Sequence, residues 1–496
     1  MSTLAPTQPT RTALATLLAG MSCDPPALDV AGVAVDSRQV SADSLFLAYP
    51  GTRAHGLDHV EQAVARGACA VAWDADTAPA LNVPQLQVPD LAVRASTIAS
   101  RFYGQPSQRL FVAGVTGTDG KTSCAWMLSQ ALAALGQRCG YMGTLGFGFR
   151  EELAAASHTT PDPVGVQDWL ARFVAADADA VALEVSSHAL DQYRVDGVAF
   201  DVAVLTQVGR DHLDYHGDMP RYAAAKQRLF AFAGLESAVL NGDDAHGRAW
   251  LATLDTSVSP VVYGFGDMAA LDARHVRIAA ARTHADGLAL ELDTSWGKAR
   301  VDSTLIGRFN AMNLAAVLAV MLARDVPLNQ AAAALAAVTT VPGRMQRIDA
   351  RADQPLVVVD YAHTPGALGH ALDAVRAHAR ARVLCVFGCG GERDRGKRAL
   401  MGAAAEAADA VWLTDDNPRS EAPAQIVRDI QAGMNANAAI TVEHDRRRAI
   451  RQAIAAAGPN DVVLIAGKGH ETIQQVGNKR RAFDDRFEAR RALEPA

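Results

Sequence analysis

The sequence predicts an α/β protein of three domains, with mostly parallel sheets in the central and C-terminal ones. Three observations carry that expectation. The chain has 496 residues, more than one hydrophobic core usually supports, since domains mostly run about 100 to 200 residues. Apolar runs of strand length alternate with helical segments, the pattern of mostly parallel sheets. In the last third of the chain, "PLVVVDYAHTPGAL", "RVLCVFGCGG", "DAVWLTDDNP" and "NDVVLIAGKGH" each end in polar or glycine residues. In doubly wound sheets those carboxyl ends form the ligand crevice.

Residues 1–105 read as a small α/β module, with strands at "VAGVAVDSRQV", "SLFLAYPG" and "ACAVAWD" and a helix at "GLDHVEQAVARGA". A new pattern starts at "LFVAGVTG", a strand followed by a glycine-rich turn and the long helix "TSCAWMLSQALAALG", which Gly136 closes. Strands at "ADAVALEVSS", "FDVAVLTQVG" and "ESAVLNGDD" and the apolar helix "TLIGRFNAMNLAAVLAVMLA" complete a central domain over 106–340. Pro342 and Gly343 punctuate the chain there, and 341–496 form a Rossmann-like third domain.

Apolar residues at 49% and charged residues at 20% are ordinary for a globular chain. A formal charge of −7 gives no pull toward nucleic acid or anionic lipid. The basic runs Arg446 to Arg448 and Lys479 to Arg481 sit among acids and read as solvated faces. Six cysteines are too few for a disulfide scaffold, and Cys385 and Cys389 have no second pair for zinc. Ala13 to Met21 precedes Cys23 as a short apolar run, but a single preceding cation, Arg11, and a poor cleavage site favour an amphipathic first helix over a signal peptide. No stretch approaches about 18 uninterrupted apolar residues, so no membrane partner and a cytoplasmic location are expected.

"GVTGTDGKTS" follows a strand and opens a helix, so backbone N–H groups can cradle an anion while Lys121 reaches the terminal phosphates and Thr122 ligates magnesium. Val115 stands at the first glycine position of the long pattern, leaving Gly117, Gly120, Lys121 and Thr122 as the match. A GTPase switch is disfavoured, because Asn478 to Arg481 lacks the acid that guanine recognition needs. Glu184 ends one strand and His212 follows another. They either converge on the metal beside Thr122 or are strand-end polar groups in salt bridges, and the phosphate loop upstream favours the metal. On composition alone Lys226 is an exposed helix lysine.

Gly388 and Gly390 in "FGCGGERDRGKR" are a fragment of a dinucleotide fingerprint, but Arg393 holds the third glycine position and no helix is expected to open there, which excludes NAD. Arg393, Arg395, Lys397 and Arg398 make that loop either an anion site or a solvated surface. In "TDDNPRSE", Arg419 sits at a strand end, where a guanidinium can bind a carboxylate through two parallel hydrogen bonds. Glu471 in "AGKGHETI" sits at a corresponding end, a partner for an ammonium group. Together they suit a free amino-acid end.

From "VDSR" near residue 35 to "KGHE" near 468, these motifs occur in an order that resembles the Mur ligases, most closely the members that add meso-diaminopimelate. The resemblance implies an ATP- and Mg2+-dependent amide ligase acting on small molecules, UDP-N-acetylmuramoyl-L-alanyl-D-glutamate and meso-diaminopimelate, with a monomer expected. It places the UDP end at Val35 and Ser37, together with Thr52, Arg53 and Ala54, and the muramoyl peptide at His158, Thr159, Thr160, Ser186, Gln192 and Arg194. ATP falls on Thr116, Gly117, Thr118, Asp119, Gly120, Lys121 and Thr122, and on Asn310, Arg344 and His363. Lys226 matches a lysine that is carbamylated in the family, a magnesium ligand with Thr122, Glu184 and His212. The incoming amino acid falls on Arg393, Asp416, Asn417, Pro418, Arg419, Gly467 and Glu471. Asp119 and His158 depart from the asparagines common at those positions. Closure of the third domain onto the second is expected. A sister ligase or folylpolyglutamate synthetase would share the phosphate loop but not "DNPR" with "GKGHE". A nucleotide-binding regulator would not turn over ATP in response to acceptor and amine.

Overall fold

The structure is a computed structural model that describes residues 4, 11–21, 25–51, 54–77, 80–268, 271–284, 286–348, 351, 353–435 and 438–494. The chain divides into two compact units, one of 1–277, 294–296 and 315–334, the other of 278–293, 297–314 and 335–496.

The first unit holds two sheets of four or more strands, besides the two-stranded pair near its start. Strands Gly32–Ala34, Ser44–Ala48, Ala68–Trp73 and Gln85–Gln87 pair in parallel in that order. Beside them runs the helix Leu91–Phe102, whose Leu91, Ala95, Ile98 and Ala99 are buried. In the larger sheet, Cys139–Gly143, Ala180–Glu184, Phe111–Thr116, Val202–Leu205, Ser237–Asn241 and Ser259–Gly264 lie side by side, all parallel. Gly146–Phe149 and Glu152–Ala154 extend one edge antiparallel. The parallel strands are nearly continuous apolar runs because both faces are covered, and Val112, Ala113, Val181, Leu183, Ala203 and Leu205 are all fully buried. Phe111–Thr116 lies between Ala180–Glu184 and Val202–Leu205, so the loops after these three strands emerge side by side.

The second unit is built on Leu356–Asp360, Val462–Ala466, Val383–Phe387, Ala410–Leu413 and Ile440–Val442, parallel in that order, with Gln346–Ile348 antiparallel at one edge. The four apolar runs read from the sequence are four of these strands, and their polar motifs share one edge of the sheet. Mixed α/β architecture with mostly parallel sheets is thus as expected.

Other expectations give way. The amphipathic first helix is four residues long, Leu14–Leu17, with Leu14 and Leu17 buried, and it follows a strand, Thr12–Ala13, that pairs with Asp29–Val30. Cys23 lies outside the described residues. Strands Arg274–His284, Gly287–Thr294 and Gly297–Ser303 were not anticipated. A helix, Gly396–Ala405, does open after the 388–393 glycines, but only six residues past Gly390. Arg446 is not on a solvated face: it is fully buried, bound to both oxygens of Asp485 at 2.7 Å and to the Ala466 carbonyl at 2.9 Å. A basic run on an amphipathic helix must turn one residue inward, and here a buried acid accepts it. Among the described residues, no helix is long and apolar enough to cross a membrane.

Candidate active site

The phosphate loop runs from the end of Phe111–Thr116 into the helix Lys121–Ala134. Gly117 has φ 146°, and a Cβ there would lie 1.8 Å from Thr206 Oγ1, so only glycine lets the loop pass so close to the neighbouring strand end. Lys121 Nζ folds back onto the loop and donates to the carbonyls of Gly117 and Thr118, each at 2.8 Å. The Thr118 hydroxyl accepts from Gly209 N–H at 2.8 Å and meets Tyr222 Oη at 3.0 Å. Asp119 accepts from Gln207 Nε2 at 2.9 Å. Among the described residues the buried Thr116 hydroxyl has no hydrogen-bond partner.

Glu184 is fully buried at the end of its strand, and its carboxylate accepts from Thr122 Oγ1 at 2.8 Å, Tyr141 Oη at 2.5 Å, Thr144 N–H at 2.9 Å and Thr144 Oγ1 at 3.2 Å. Strand order explains the convergence: Phe111–Thr116 and Cys139–Gly143 flank Ala180–Glu184. Thr122 and Glu184, paired on sequence grounds, are therefore in contact, while Tyr141 and Thr144 carried no sequence signal, since their role depends on which strands are neighbours.

Lys226 corrects the compositional reading. It lies on the helix Met219–Gln227, is 1% exposed, donates to Gly117 O at 2.7 Å and stacks over Tyr222 at 4.4 Å. Two lysines thus share one carbonyl. Burial, reinforced by the charge of Lys121, pulls the Lys226 ammonium down to about 7, against the opposing pull of Asp211 and Asp119. His212, at φ 52°, packs edge-on against His188 at 4.8 Å and Tyr222 at 6.3 Å and lies 3.4 Å from Asp211. Tyr222 is therefore shared by Thr118, Lys226 and His212. Among the described residues no three His, Cys, Asp or Glu side chains form a metal cluster. Magnesium asks for oxygen donors, and Thr122 and Glu184 supply them. A buried lysine without an acid becomes such a donor only as a carbamate.

The peptide-side candidates form a second connected group. Thr160 Oγ1 donates to Glu184 O at 2.7 Å and accepts from Ser186 N–H at 3.1 Å. Ser186 caps the helix Ser187–Asp191. Arg194 donates to Thr160 O at 2.9 Å and to Gln192 Oε1 at 3.0 Å. The backbone around Arg194 is held by Ser96, whose hydroxyl donates to Arg194 O at 3.1 Å and accepts from Gly197 N–H at 2.8 Å. Thr159 meets Thr144 at 3.1 Å, while His158 is exposed and bonds its neighbour Ser157. Ser37, 5% exposed, donates to Gln62 Oε1 at 2.7 Å, Val35 is half-buried and Ala54 exposed. Thr52 and Arg53 lie outside the described residues.

In the second unit, Asn310 is 1% exposed and bonds Ile306 O and Asn313, both at 2.9 Å. Among the described residues the buried Nε of Arg344 has no partner, and His363 is exposed and packs at a tilt on Tyr361 at 4.6 Å. Arg419, at φ 51°, donates from Nη1 to Gly391 O at 2.6 Å. Asn417 donates to Glu471 Oε2 at 3.0 Å, and the Pro418 carbonyl accepts from Glu421 N–H at 3.1 Å. Gly467 has φ 113°, and a Cβ there would meet Asp416 Oδ2 at 2.8 Å. Burial pushes the Asp416 carboxyl up. Lys468, fully buried and not singled out from the sequence, donates to Glu471 Oε2 at 2.9 Å and Asn417 Oδ1 at 3.3 Å. Burial pushes the Glu471 carboxyl up, but the bond and charge of Lys468 outweigh it and hold the group below its ordinary value. The structure thus brings Asn417 and Glu471 together.

The anion reading of residues 393–398 shrinks to Arg393. Arg398 is buried against Glu421 and Asp429, at 3.0 and 2.8 Å, Arg395 pairs with Glu421 at 3.3 Å, and Lys397 bonds His363 O at 2.8 Å. Arg393 is exposed.

Three family models match the chain: "Mur ligase family, catalytic domain" over 29–103, "Mur ligase middle domain" over 115–321 and "Mur ligase, glutamate ligase domain" over 343–469. A UDP-N-acetylmuramoyl-L-alanyl-D-glutamate--2,6-diaminopimelate ligase of Alkalilimnicola ehrlichii is 50% identical over 476 residues, 94% of this chain and 95% of that protein. This chain belongs to the Mur ligase family. The Coxiella burnetii protein of the same name is 46% identical over 92% of this chain and 94% of its own length. A solved structure of a protein so named superposes with a TM-score of 0.78 at 34% identity, covering 98% and 99% of the two chains. The fold is the three-domain Mur ligase fold expected from the sequence.

Proposed function

We propose that this Mur ligase is the ATP-dependent enzyme that adds meso-2,6-diaminopimelate to UDP-N-acetylmuramoyl-L-alanyl-D-glutamate, in the cytoplasm and as a monomer, with domain boundaries near residues 105/106 and 340/341. The observation that carries the reading is identity of 46 to 50% over more than nine-tenths of the chain to ligases of that name.

In this reading the loop from Thr116 to Thr122 cradles the triphosphate of ATP, with Lys121 swung from the Gly117 and Thr118 carbonyls onto the phosphates. Asn310, Arg344 and His363 serve the nucleotide as well. Thr122, Glu184, His212 and a carbamylated Lys226 would hold magnesium, which would supply charge neutralisation at the transferring phosphoryl group. The free side-chain carboxylate of the D-glutamyl residue takes the γ-phosphoryl group and ADP leaves. The neutral amine then attacks the acyl carbon, the C–N bond forms as the C–O bond to phosphate breaks, phosphate leaves with that electron pair, and the nitrogen gives up a proton to solvent. Thr159, Thr160, Ser186, Gln192 and Arg194 orient the peptide, with His158 at the margin, and Val35 and Ser37, with 52–54, hold the UDP end. The protein's task is positioning and charge neutralisation.

Arg419 takes a carboxylate of the amino acid and Glu471 an ammonium group, with Arg393, Asp416, Asn417, Pro418 and Gly467 completing the pocket. Lysine lacks the second carboxylate and would leave a guanidinium desolvated and unpaired, a mismatch worth about 10⁴ in discrimination. The test is phosphate release by the purified protein with the UDP-linked dipeptide and ATP, comparing meso-diaminopimelate, L-lysine and no amine. Turnover confined to diaminopimelate is expected. Equal use of lysine would remove the role given to Arg419, and no turnover with either amine would remove the ligase reading.

A further inference from the structure

Strands Ile473–Val476 and Lys479–Ala482 form an antiparallel hairpin with an exposed second strand, yet its first strand is stitched to residues 415–419. Gln474 is fully buried. Its Nε2 donates to two successive carbonyls, Asp416 O at 2.8 Å and Asp415 O at 3.1 Å, and its Oε1 accepts from Arg481 Nη2 at 2.6 Å and Nε at 3.0 Å. Two donors and two acceptor sites are all a carboxamide has, so the group is fully committed. The next residue continues the seam: Gln475 N–H donates to Asn417 Oδ1 at 2.9 Å, and Gln475 O accepts from Arg419 N–H at 3.2 Å. Gly477 N–H then donates to Arg419 O at 2.7 Å. Arg419 is a non-glycine residue at φ 51°, a conformation that persists only where the surroundings enforce it. Both of its peptide groups are held by the hairpin.

We propose that Gln474 is a positioning residue for amino-acid specificity, locking the peptide planes that lead into Asn417 and Arg419 so that the guanidinium presents its two donors in one fixed plane. This rests on reading Arg419 and Asn417 as the amino-acid site. A planar fork discriminates a second carboxylate only if its backbone does not turn with the ligand, because bidentate geometry is lost with small misplacements. Arg481 acts one step further out, by holding the carboxamide the right way round.

The test uses the full chain as Gln474→Met, close in volume but with neither donor nor acceptor, and as Arg481→Ala, which changes only an exposed side chain. KM for meso-diaminopimelate is expected to rise about 10- to 100-fold in Gln474→Met, with KM for ATP unchanged and the diaminopimelate-to-lysine preference reduced at least about tenfold. Arg481→Ala is expected to move the same two quantities by about threefold. Unchanged selectivity in both variants, or a fall in kcat with every KM left as it was, overturns the inference. Should Gln474→Met fail to give a cooperative melt, Arg481→Ala decides by the same criteria. A wild-type enzyme that uses lysine as well as diaminopimelate would instead overturn the reading of the site itself, together with what rests on it.

Discussion

Lys226 and Lys468 are both buried lysines, 1% and 0% exposed, and their surroundings treat them oppositely. Lys468 lies against an anion, Glu471, and an amide oxygen, that of Asn417. Among the described residues Lys226 is in direct contact with a carbonyl and the face of Tyr222, with a second cation, Lys121, on the same carbonyl and Asp211 and Asp119 acting only from a distance. An ammonium removed from water is tolerable beside a carboxylate and costly without one. Lys468 is thus a finished part of the Asn417–Glu471 cluster. Lys226 is a buried helix amine beside a second cation, which is the physical setting in which a carbamate is stabilised.

The largest effect expected from this difference is at Lys226. Lys226→Met removes the amine that can become a carbamate, and the overall rate should fall by about 10³-fold with KM for diaminopimelate little changed, read from phosphate release. Lys468→Met removes a cation whose anion stays behind. KM for diaminopimelate should then rise about 10- to 100-fold. Urea unfolding should show a loss of about 1–2 kcal/mol, reduced from a fully buried pair because Glu471 is 36% exposed.

A pH series sharpens the same comparison. Only the neutral amine takes up carbon dioxide, and the Lys226 ammonium is pulled to about 7. Reactivation of bicarbonate-depleted protein at fixed dissolved carbon dioxide should therefore rise about tenfold between pH 6 and pH 8 and then level off. An ordinary lysine would keep rising past pH 9. In the unmodified chain, the unfolded state keeps the Lys226 proton up to about 10.5 while the folded state loses it near 7. Stability from this group therefore increases as pH rises through that window and is lowest below 7. The smallest effect is expected at Tyr141, one of four donors on the Glu184 carboxylate. Tyr141→Phe should lower kcat about 3- to 10-fold, with KM for ATP near that of the wild type.

What was legible in the sequence was what lies close in the chain or repeats with a period: the phosphate loop, the apolar parallel strands, "DNPR" and "GKGHE" at strand ends. What was not legible depended on long-range adjacency. Tyr141 reaches Glu184 only because Cys139–Gly143 sits next to Ala180–Glu184, an order no local pattern encodes. Lys226 looked like a surface lysine because its helix has alanines on either side of the burial boundary, and Arg446 like a solvated cation because its acid, Asp485, lies 39 residues away. Gln474 sits in a short hairpin whose exposed basic strand hides the one inward amide. The resemblance to a known family supplied Lys226, which the residues alone did not.

The comparison is tested most directly by carbon NMR of the protein equilibrated with isotopically labelled bicarbonate at pH 8, for the wild type and for Lys226→Met and Lys468→Met. One carbamate resonance is predicted in the wild type and in Lys468→Met, and none in Lys226→Met. A spectrum without the resonance in the wild type, or one in which Lys226→Met keeps it, would contradict the account.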